Sequence, residues 1–365
     1  MTDKIKDKKL KNSRISVKPF VYSIPSISSV SIRFLVLLSI QVIMLLLTGS
    51  FNAFLVVMIS LIGSLAAALV NYYIKKEALY NIMNIAIQGL FIGLLLPENY
   101  PLPMVFVISF TTIVISRSLI FKGVNSWVNV PAVATIIAWY IGNRYFPQFA
   151  VNSEILTLRN SSVYLIQNGY FPIYSFDTPV TAFLNKNIFS LANVSIPEGF
   201  VSLLWDSHSI IPAFRFNLIT IISSIIIFSD NSFSVIIPSV FLAVYGILVR
   251  LLVPYLFGGN INQGDIILAF LTSGVLFSTV FLIQWYGTTP VSVGGKFVLG
   301  IISGLIAFVI IGCGTSPVGI SYTILISNIV SMIIRIFEEK QNEIVAGKVV
   351  AKYSAKLAAE SGVQK

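Results

Sequence analysis

The sequence predicts an all-α integral membrane protein, a polytopic bundle of about ten transmembrane helices that a long central segment divides into two sets of five. Hydrophobic residues make up 56% of the 365-residue chain, and Asp, Glu, Lys and Arg together only 10%. A soluble domain carries roughly 25% of those charged residues, so this chain has too little charge to clothe a water-soluble globule. The apolar residues also arrive in blocks close to the roughly 20 residues that a hydrocarbon core requires. Between the blocks stand short stretches rich in Gly, Pro, Asn and charge. Those continuous runs exclude a β-barrel, whose strands alternate apolar and polar positions.

In chain order, residues 1–29 form a basic, polar tail without helical apolar periodicity. The first half, residues 30–141, holds expected spans at Ile32 to Thr48, Phe51 to Tyr73, Ile82 to Leu96, Met104 to Phe121 and Val130 to Ile141. The third and fifth are short for a full crossing. Residues 142–210 are the one long extramembrane segment, and a connection of this length is usually functional or folded in its own right. The second half, residues 211–337, holds spans at Ile211 to Phe228, Ser232 to Val253, Ile266 to Trp285, Phe297 to Ile311 and Gly319 to Phe337. In the tail 338–365, Val345, Val349, Tyr353 and Leu357 recur at i+4 beside Lys348, Lys352 and Lys356, the pattern of an amphipathic helix on lipid or on a partner subunit.

Positive residues near span ends stay cytoplasmic. Placing the N-terminus inside puts most Lys and Arg on that side, from Lys4 to Arg33, then Lys75, Lys76, Arg117, Lys122, Lys296 and Arg335, and on through the tail lysines. Arg144, Arg159, Lys186, Arg215 and Arg250 fall on the other. Both termini are therefore expected in the cytoplasm, with segment 142–210 facing outward. The net charge of +10 reads as this topology signal and as attraction to anionic lipid, not as nucleic acid binding, because no aromatic residues interleave the basic ones. The first apolar run is expected to remain as a span, since no cleavage pattern follows it. A single cysteine, Cys313, and a single histidine, His208, cannot build a metal or iron–sulfur centre unaided. Redox chemistry here requires an organic cofactor or another subunit's metal.

Each half is interrupted by Gly- and Pro-rich breaks: "LLLPENYPLP" and "FKGVNSWVNVPA" in the first, "LFGGNINQGD", "YGTTPVSVGGK" and "GCGTSPVG" in the second. Backbone amides and carbonyls freed at such breaks are tolerated at membrane depth only where they face protein or line a cavity. A bundle built from repeats uses such breaks to bind ions or ring systems, although tight turns between hairpin spans would look the same. Arg117, Arg215, Arg250 and Asp265 are the ionisable groups nearest the span ends, and no ladder of carboxylates suggests a proton relay.

These loops resemble those of the large membrane subunit shared by the sodium-translocating NADH:quinone reductase and the Rnf complex, the NqrB/RnfD family. "PVGISYTILISNIVSM" is similar to the family's "PEGVAFAILLMNALVP", sharing Pro317, Gly319, Ile324, Leu325 and Asn328. The stretch "DIILAFLTSGVLFSTVFL" followed by "TTPVS" keeps Ser273, Gly274, Pro290 and Val291 of the family pattern. "IFKGVNSWVNVPA" keeps Phe121, Gly123, Pro131 and Ala132 of "LFGGLGQNPFNPA". The resemblance implies ten spans, a place in the cytoplasmic membrane of a bacterium, and other subunits of an Rnf/Nqr-type complex as partners. It also marks Arg117, Gly123, Pro131, Ser273, Gly274, Pro290, Pro317, Gly319 and Asn328 as residues of a cavity or ion path.

Members of the family carry FMN on a threonine of the outward loop, within a pattern like "DAVSGATPL". The corresponding "DTPVTAFLN" retains Asp177 and Ala182, but the acceptor position falls on Phe183, which has no hydroxyl to esterify. Thr178 and Thr181 are the neighbouring hydroxyls and could substitute only in a shifted register, so the chain is expected to carry no covalent flavin. In the span after the loop, the family pattern "GSIGETSALAILLGG" places Phe214 where its glutamate stands, and Ser223 and Ser224 where it has paired glycines. The resemblance therefore implies either a membrane subunit of an ion-translocating oxidoreductase, moving Na⁺ or H⁺, or a flavin-free transporter or scaffold of the same fold.

Overall fold

The computed structural model describes residues 26–75, 82–116, 128–147, 161–229, 233–285, 289–312 and 317–362. Among these residues every regular element is helical. The first half contains α1 (Ile27–Leu47), α2 (Phe51–Lys75), α3 (Ile82–Leu95), α4 (Leu102–Ile115) and α5 (Val130–Gly142). Among the described residues, the connecting segment holds three short α-helices, α6 (Ser161–Gln167), α7 (Asp177–Asn187) and α8 (Phe200–Trp205). The second half follows with α9 (Asn217–Phe228), α10 (Ile236–Leu256), α11 (Ile266–Thr272), α12 (Val275–Phe281), α13 (Val293–Ala307) and α14 (Gly319–Gly362).

Among the described residues, five helices are long and apolar enough to cross a membrane: α1, α2, α10, α13 with its π-helical continuation to Gly312, and α14. Shorter apolar helices, α3, α4 and α9, stand beside them. At 1.5 Å per residue, the 14 residues of α3 span about 21 Å, less than the roughly 30 Å hydrocarbon core. The shortfall is tolerable because α3 is buried without interruption from Gly89 to Leu95, shielded from lipid by its neighbours. Several helix starts carry a side-chain cap where backbone amides would otherwise go unpaired: Ser26 for α1, Asn129 for α5, Asp265 for α11 and Ser292 for α13.

The packing of the first half recurs in the second. There α2 packs on α3 and α4, α1 on α3, and α4 on α5; here α10 packs on α11–α12 and α13, α9 on α12, and α13 on α14. Close approach through small residues holds the central pairs. A Cβ on Gly93 of α3 would stand 2.6 Å from Val57 Cα, and one on Gly304 of α13 would stand 2.9 Å from Phe241 O. The halves meet through α1 against α9 and α5 against α14. Gln41 of α1 donates to Thr220 of α9 at 3.0 Å, and Asn129 Nδ2 donates to Leu282 O at 3.1 Å.

The helices fall on the expected spans, with two corrections. The sixth span, expected from Ile211, is α-helical only from Asn217; Pro212–Phe214 forms a single 3₁₀ turn, after which Arg215 folds back to pair with Asp206. The eighth is two short helices, broken where Gly274 adopts a left-handed conformation (φ +71°) that interrupts the helical hydrogen bonds. The tail helix continues α14 without a break as far as Gly362. Arg117, Gly123 and Cys313 lie outside the described residues.

Candidate functional site

The broken helix α11–α12 is the floor on which the connecting segment folds. Leu203 of α8 packs with Leu271 and Leu276 from the two sides of the break. The Asp265 carboxylate caps α11 through Leu268 N (3.0 Å) and accepts from Ser162 N (2.8 Å) and Ser162 Oγ (2.5 Å), which fastens α6 to the same helix. At the break, Asn217 Nδ2 donates to Leu271 O at 2.8 Å, satisfying a carbonyl that the interrupted helix leaves open. The ring of Phe214 covers Gly274 so closely that a Cβ there would stand 2.0 Å from Phe214 Cε1. The position at which the resemblance expects a glutamate is therefore a phenyl lid on the break, 2% exposed.

Beside Phe214 lies a buried ion pair. Arg215 donates from Nε to Asp206 Oδ1 at 2.9 Å and from Nη2 to Asp206 Oδ2 at 2.5 Å, while its Nη1 reaches Ser50 Oγ in the α1–α2 turn at 2.5 Å. Asp206 also accepts from His208 N (2.8 Å) and from the Tyr174 hydroxyl (3.4 Å). Burial pushes the Asp206 carboxyl up, but the hydrogen bonds and charge of Arg215 outweigh it and hold the pKa below the ordinary carboxylate value. Burial and the Asp206 charge raise the Tyr174 hydroxyl.

Helix α7 is tied to α8 through one carboxylate. Asp177, fully buried, accepts from Gly199 N (2.8 Å), Ser202 N (2.5 Å), Ser202 Oγ (2.7 Å) and Thr181 Oγ1 (3.0 Å). Burial again pushes this carboxyl up, and the four donors more than offset it, leaving the pKa lowered. The sequence-selected residues of this helix therefore separate into two groups. Asp177 and Thr181 face inward and bond each other, whereas Thr178, Ala182 and Phe183 are exposed. Phe183 is 62% exposed and has no hydroxyl.

Thr181 is buried with its hydroxyl committed to Asp177, so it does not suit esterification. Thr178 is exposed in the first turn of α7, and its hydroxyl forms no hydrogen bond with a described residue. It also begins Thr178-Pro179-Val180, which follows Ser175 at the spacing of "SGATPL" in the family pattern. Beside the register anchored on Asp177, which puts Phe183 at the acceptor position, this second register puts a hydroxyl there. The residues thus fit a phosphoester at Thr178 and at neither Phe183 nor Thr181.

The remaining sequence candidates are distributed over the second half and its boundary with the first. Pro131 opens α5, and its carbonyl accepts from Thr135 Oγ1 at 2.9 Å. Ser273 donates back to Ala269 O at the break. Pro290 is buried beside Gly295 at the start of α13, and Pro317 and Gly319 open α14, with Gly319 against Ile310 and Ile311. Asn328 is buried within α14. The structure brings Gly274 together with Phe214 and with the docked segment, and leaves Pro131, Pro290, Pro317 and Gly319 at separate helix starts, Ser273 at the break and Asn328 within α14. The sequence marks Arg215 only as a charge near a span end; its pairing with Asp206, nine residues away across a 3₁₀ turn, left no periodic signal.

Compared with known proteins, residues 14–343 match the NQR2, RnfD, RnfE family. The chain belongs to this family. No curated protein sequence matches it significantly.

Proposed function

We propose that this chain is the membrane subunit of an Rnf/Nqr-type electron transport complex in a bacterial cytoplasmic membrane. In this reading ten crossings are arranged as two sets of five, both termini are cytoplasmic, and electron transfer is coupled to movement of Na⁺ or H⁺. Family membership over residues 14–343 supports the class. The observation that carries the finer reading is the exposed Thr178 on a helix fixed to the broken α11–α12 pair through Asp177 and α8.

An FMN esterified at Thr178 would supply one- and two-electron transfer that the side chains cannot provide. The chain's own contribution is position. Asp177 fixes the first turn of α7, Asp265 fastens α6, and the Asp206–Arg215 pair locks the end of the segment to the α1–α2 turn. The chain has no nicotinamide-binding fingerprint, so this reading requires other subunits to deliver and remove electrons. Phe183 and Phe214, at positions where the family carries chemistry, favour a second reading as a flavin-free transporter of the same fold.

The test is purification from native membranes followed by a denaturing gel viewed for flavin fluorescence. The expected result is a fluorescent band at the chain's mass, lost in Thr178→Val and retained in Thr181→Val, with other complex subunits co-purifying. A chain that co-purifies with partners but carries no flavin, or one whose flavin survives Thr178→Val, overturns the Thr178 assignment. A chain with neither flavin nor partners supports the transporter.

A further inference from the structure

Helix α14 does not stop where the bundle stops. Its apolar part ends at Phe337, and Glu338 turns back to close the start of α13, yet the helix runs on without a break to Gly362. At 1.5 Å per residue, residues 339–362 extend about 36 Å past Glu338. Every described side chain from Glu339 to Tyr353 is exposed, and a Cβ added at Gly347 would meet nothing within 4 Å. An isolated helix gains little stability from its own hydrogen bonds, and most protein helices depend on packing an amphipathic face. This one carries such a face. Val345, Val349 and Tyr353 follow one another at four-residue intervals, 56%, 48% and 64% exposed, with Val350 beside them. Lys348, Lys352 and Lys356 recur at the same interval, and between Glu343 and Glu360 the chain has no acidic residue.

Charge and length decide what covers this face. The helix leaves the bilayer as the continuation of a crossing segment, so Lys352 and Lys356 stand about 21 and 27 Å beyond Glu338 along its axis. The headgroup layer is about 5–8 Å deep and charges are screened within about 8 Å, which puts both positions out of reach of anionic lipid even at the usual tilt of about 20°. A second copy in the same membrane would lie parallel to the first and set each lysine against its own counterpart, a like-charge arrangement. The N-terminal tail, with seven Lys and Arg against two Asp in residues 1–18, repels the same row. The complement is an acidic protein surface.

We propose that residues 344–357 of α14 form a docking helix for a water-soluble subunit, which receives Val345, Val349 and Tyr353 in an apolar groove rimmed by Asp and Glu. An amphipathic helix laid in a groove is a recurring mode of recognition. The tyrosine would anchor the contact, and the lysine row would steer the encounter. Because the docking helix is continuous with α14, which Glu338 ties to α13, the bound subunit would be held at a fixed height over the bundle. That this subunit belongs to an electron transport complex and sits on the cytoplasmic side rests on the function proposed above; docking itself does not.

The experiment places the photocrosslinker p-benzoylphenylalanine at Val349 of the full chain in native membranes. Lys340, half a turn away around the helix, is the control position. The expected product at Val349 is a single water-soluble chain, joined through a peptide rich in Asp and Glu when identified by mass spectrometry, with only background at Lys340. The triple variant Lys348→Glu/Lys352→Glu/Lys356→Glu should lower the yield roughly tenfold, as should raising the salt concentration. Val345→Ser/Tyr353→Ser should lower it several-fold at physiological salt. Because residues 344–357 lie beyond the bundle, either variant purified in detergent should melt at the wild-type temperature.

Crosslinks only to lipid would assign the helix to the membrane surface, and crosslinks to a second copy would make it a dimer contact; either result overturns the proposal. So do a partner crosslink indifferent to the lysine substitutions and to salt, equal yields from Val349 and Lys340, and no crosslink at all. A soluble, acidic partner on a chain without flavin would keep the docking helix while the redox reading fell. A flavin-bearing chain that co-purifies with membrane subunits but gives no crosslink at Val349 would do the reverse.

Discussion

Arg215 and Asp206 form a two-point ion pair inside the protein, and the third nitrogen of the same guanidinium bonds Ser50 in the first half of the bundle. One side chain thus joins the connecting segment, the turn between α1 and α2, and the entry to α9. Removing one member of a buried pair strands the other charge, which costs about 3–5 kcal/mol. Arg215→Ala should therefore lower the thermal unfolding midpoint of the detergent-solubilised protein sharply. Arg215→Lys should fall between it and wild type, because an ammonium cannot reproduce the two-point fork. The double variant Asp206→Ala/Arg215→Ala should be more stable than Arg215→Ala alone. An Arg215→Ala protein that unfolds at the wild-type temperature would refute a structural role for the pair.

The Asp177 carboxylate makes a pH-dependent version of the same argument. Burial raises its pKa, but the donors from Gly199, Ser202 and Thr181 outweigh burial and leave it lowered. A carboxylate with a lowered folded pKa contributes stability that is present above its unfolded value, about 3.9, and is lost as the pH falls through the folded value. Hydrogen exchange in the 177–202 region should therefore be steady from neutral pH down to about 5 and accelerate only below about 4, after correction for intrinsic rates. Asp177→Asn should raise exchange at neutral pH by an amount corresponding to about 1–3 kcal/mol, since it leaves buried donors poorly matched. It should also flatten the acid transition. If the transition persists unchanged in Asp177→Asn, another group is responsible.

Gly274 tests the helix break. Its φ of +71° is one that residues with a Cβ adopt only at a cost, and Phe214 occupies the space a Cβ would need. Gly274→Ala should destabilise the protein by more than the roughly 1 kcal/mol typical of a left-handed glycine, because the Phe214 ring must also move. Phe214→Ala/Gly274→Ala should relieve the steric part and leave the backbone part, giving non-additive changes in unfolding midpoint. Additive changes would mean that the two residues do not meet.

The spans were legible because a bilayer imposes a length and excludes charge, and both leave marks in the sequence. Burial in protein leaves the same mark, which is why Ile211–Phe216 read as helix: its apolar residues pack on Gly274 and around Arg215, not on lipid. Family likeness marked Ser273 and Gly274 as cavity residues within a continuous span, while the φ that breaks the helix there belongs to the folded backbone. In the connecting segment the residues of the pattern were legible, but the structural role of Asp177 was not: its bonds to Gly199 and Ser202, which tie α7 to α8, depend on how the segment folds back. Pairings such as Asp206–Arg215 and Asp265–Ser162 depend on where the segment folds back, which no local period encodes.

The same reasoning applies where α14 meets α13. The Glu338 carboxylate accepts from Val291 N at 2.8 Å, Ser292 N at 3.0 Å and the Ser292 hydroxyl, so a residue just beyond the apolar part of α14 closes the start of α13. Gly295 leaves room for it: a Cβ there would stand 2.1 Å from Glu338 Oε1. Gly295→Ala should displace the carboxylate and weaken the α13–α14 hairpin as much as Glu338→Gln does, each by about 0.5–2 kcal/mol, the usual worth of a helix cap. Because both substitutions remove one interaction, the double variant should be no less stable than the worse single one. Crosslinking of cysteines placed at Val291 and Arg335 would report the hairpin directly, with faster loss of crosslink yield on heating in either variant. Equal yields in all three proteins would show that α13 and α14 are held by their apolar contacts and small residues alone.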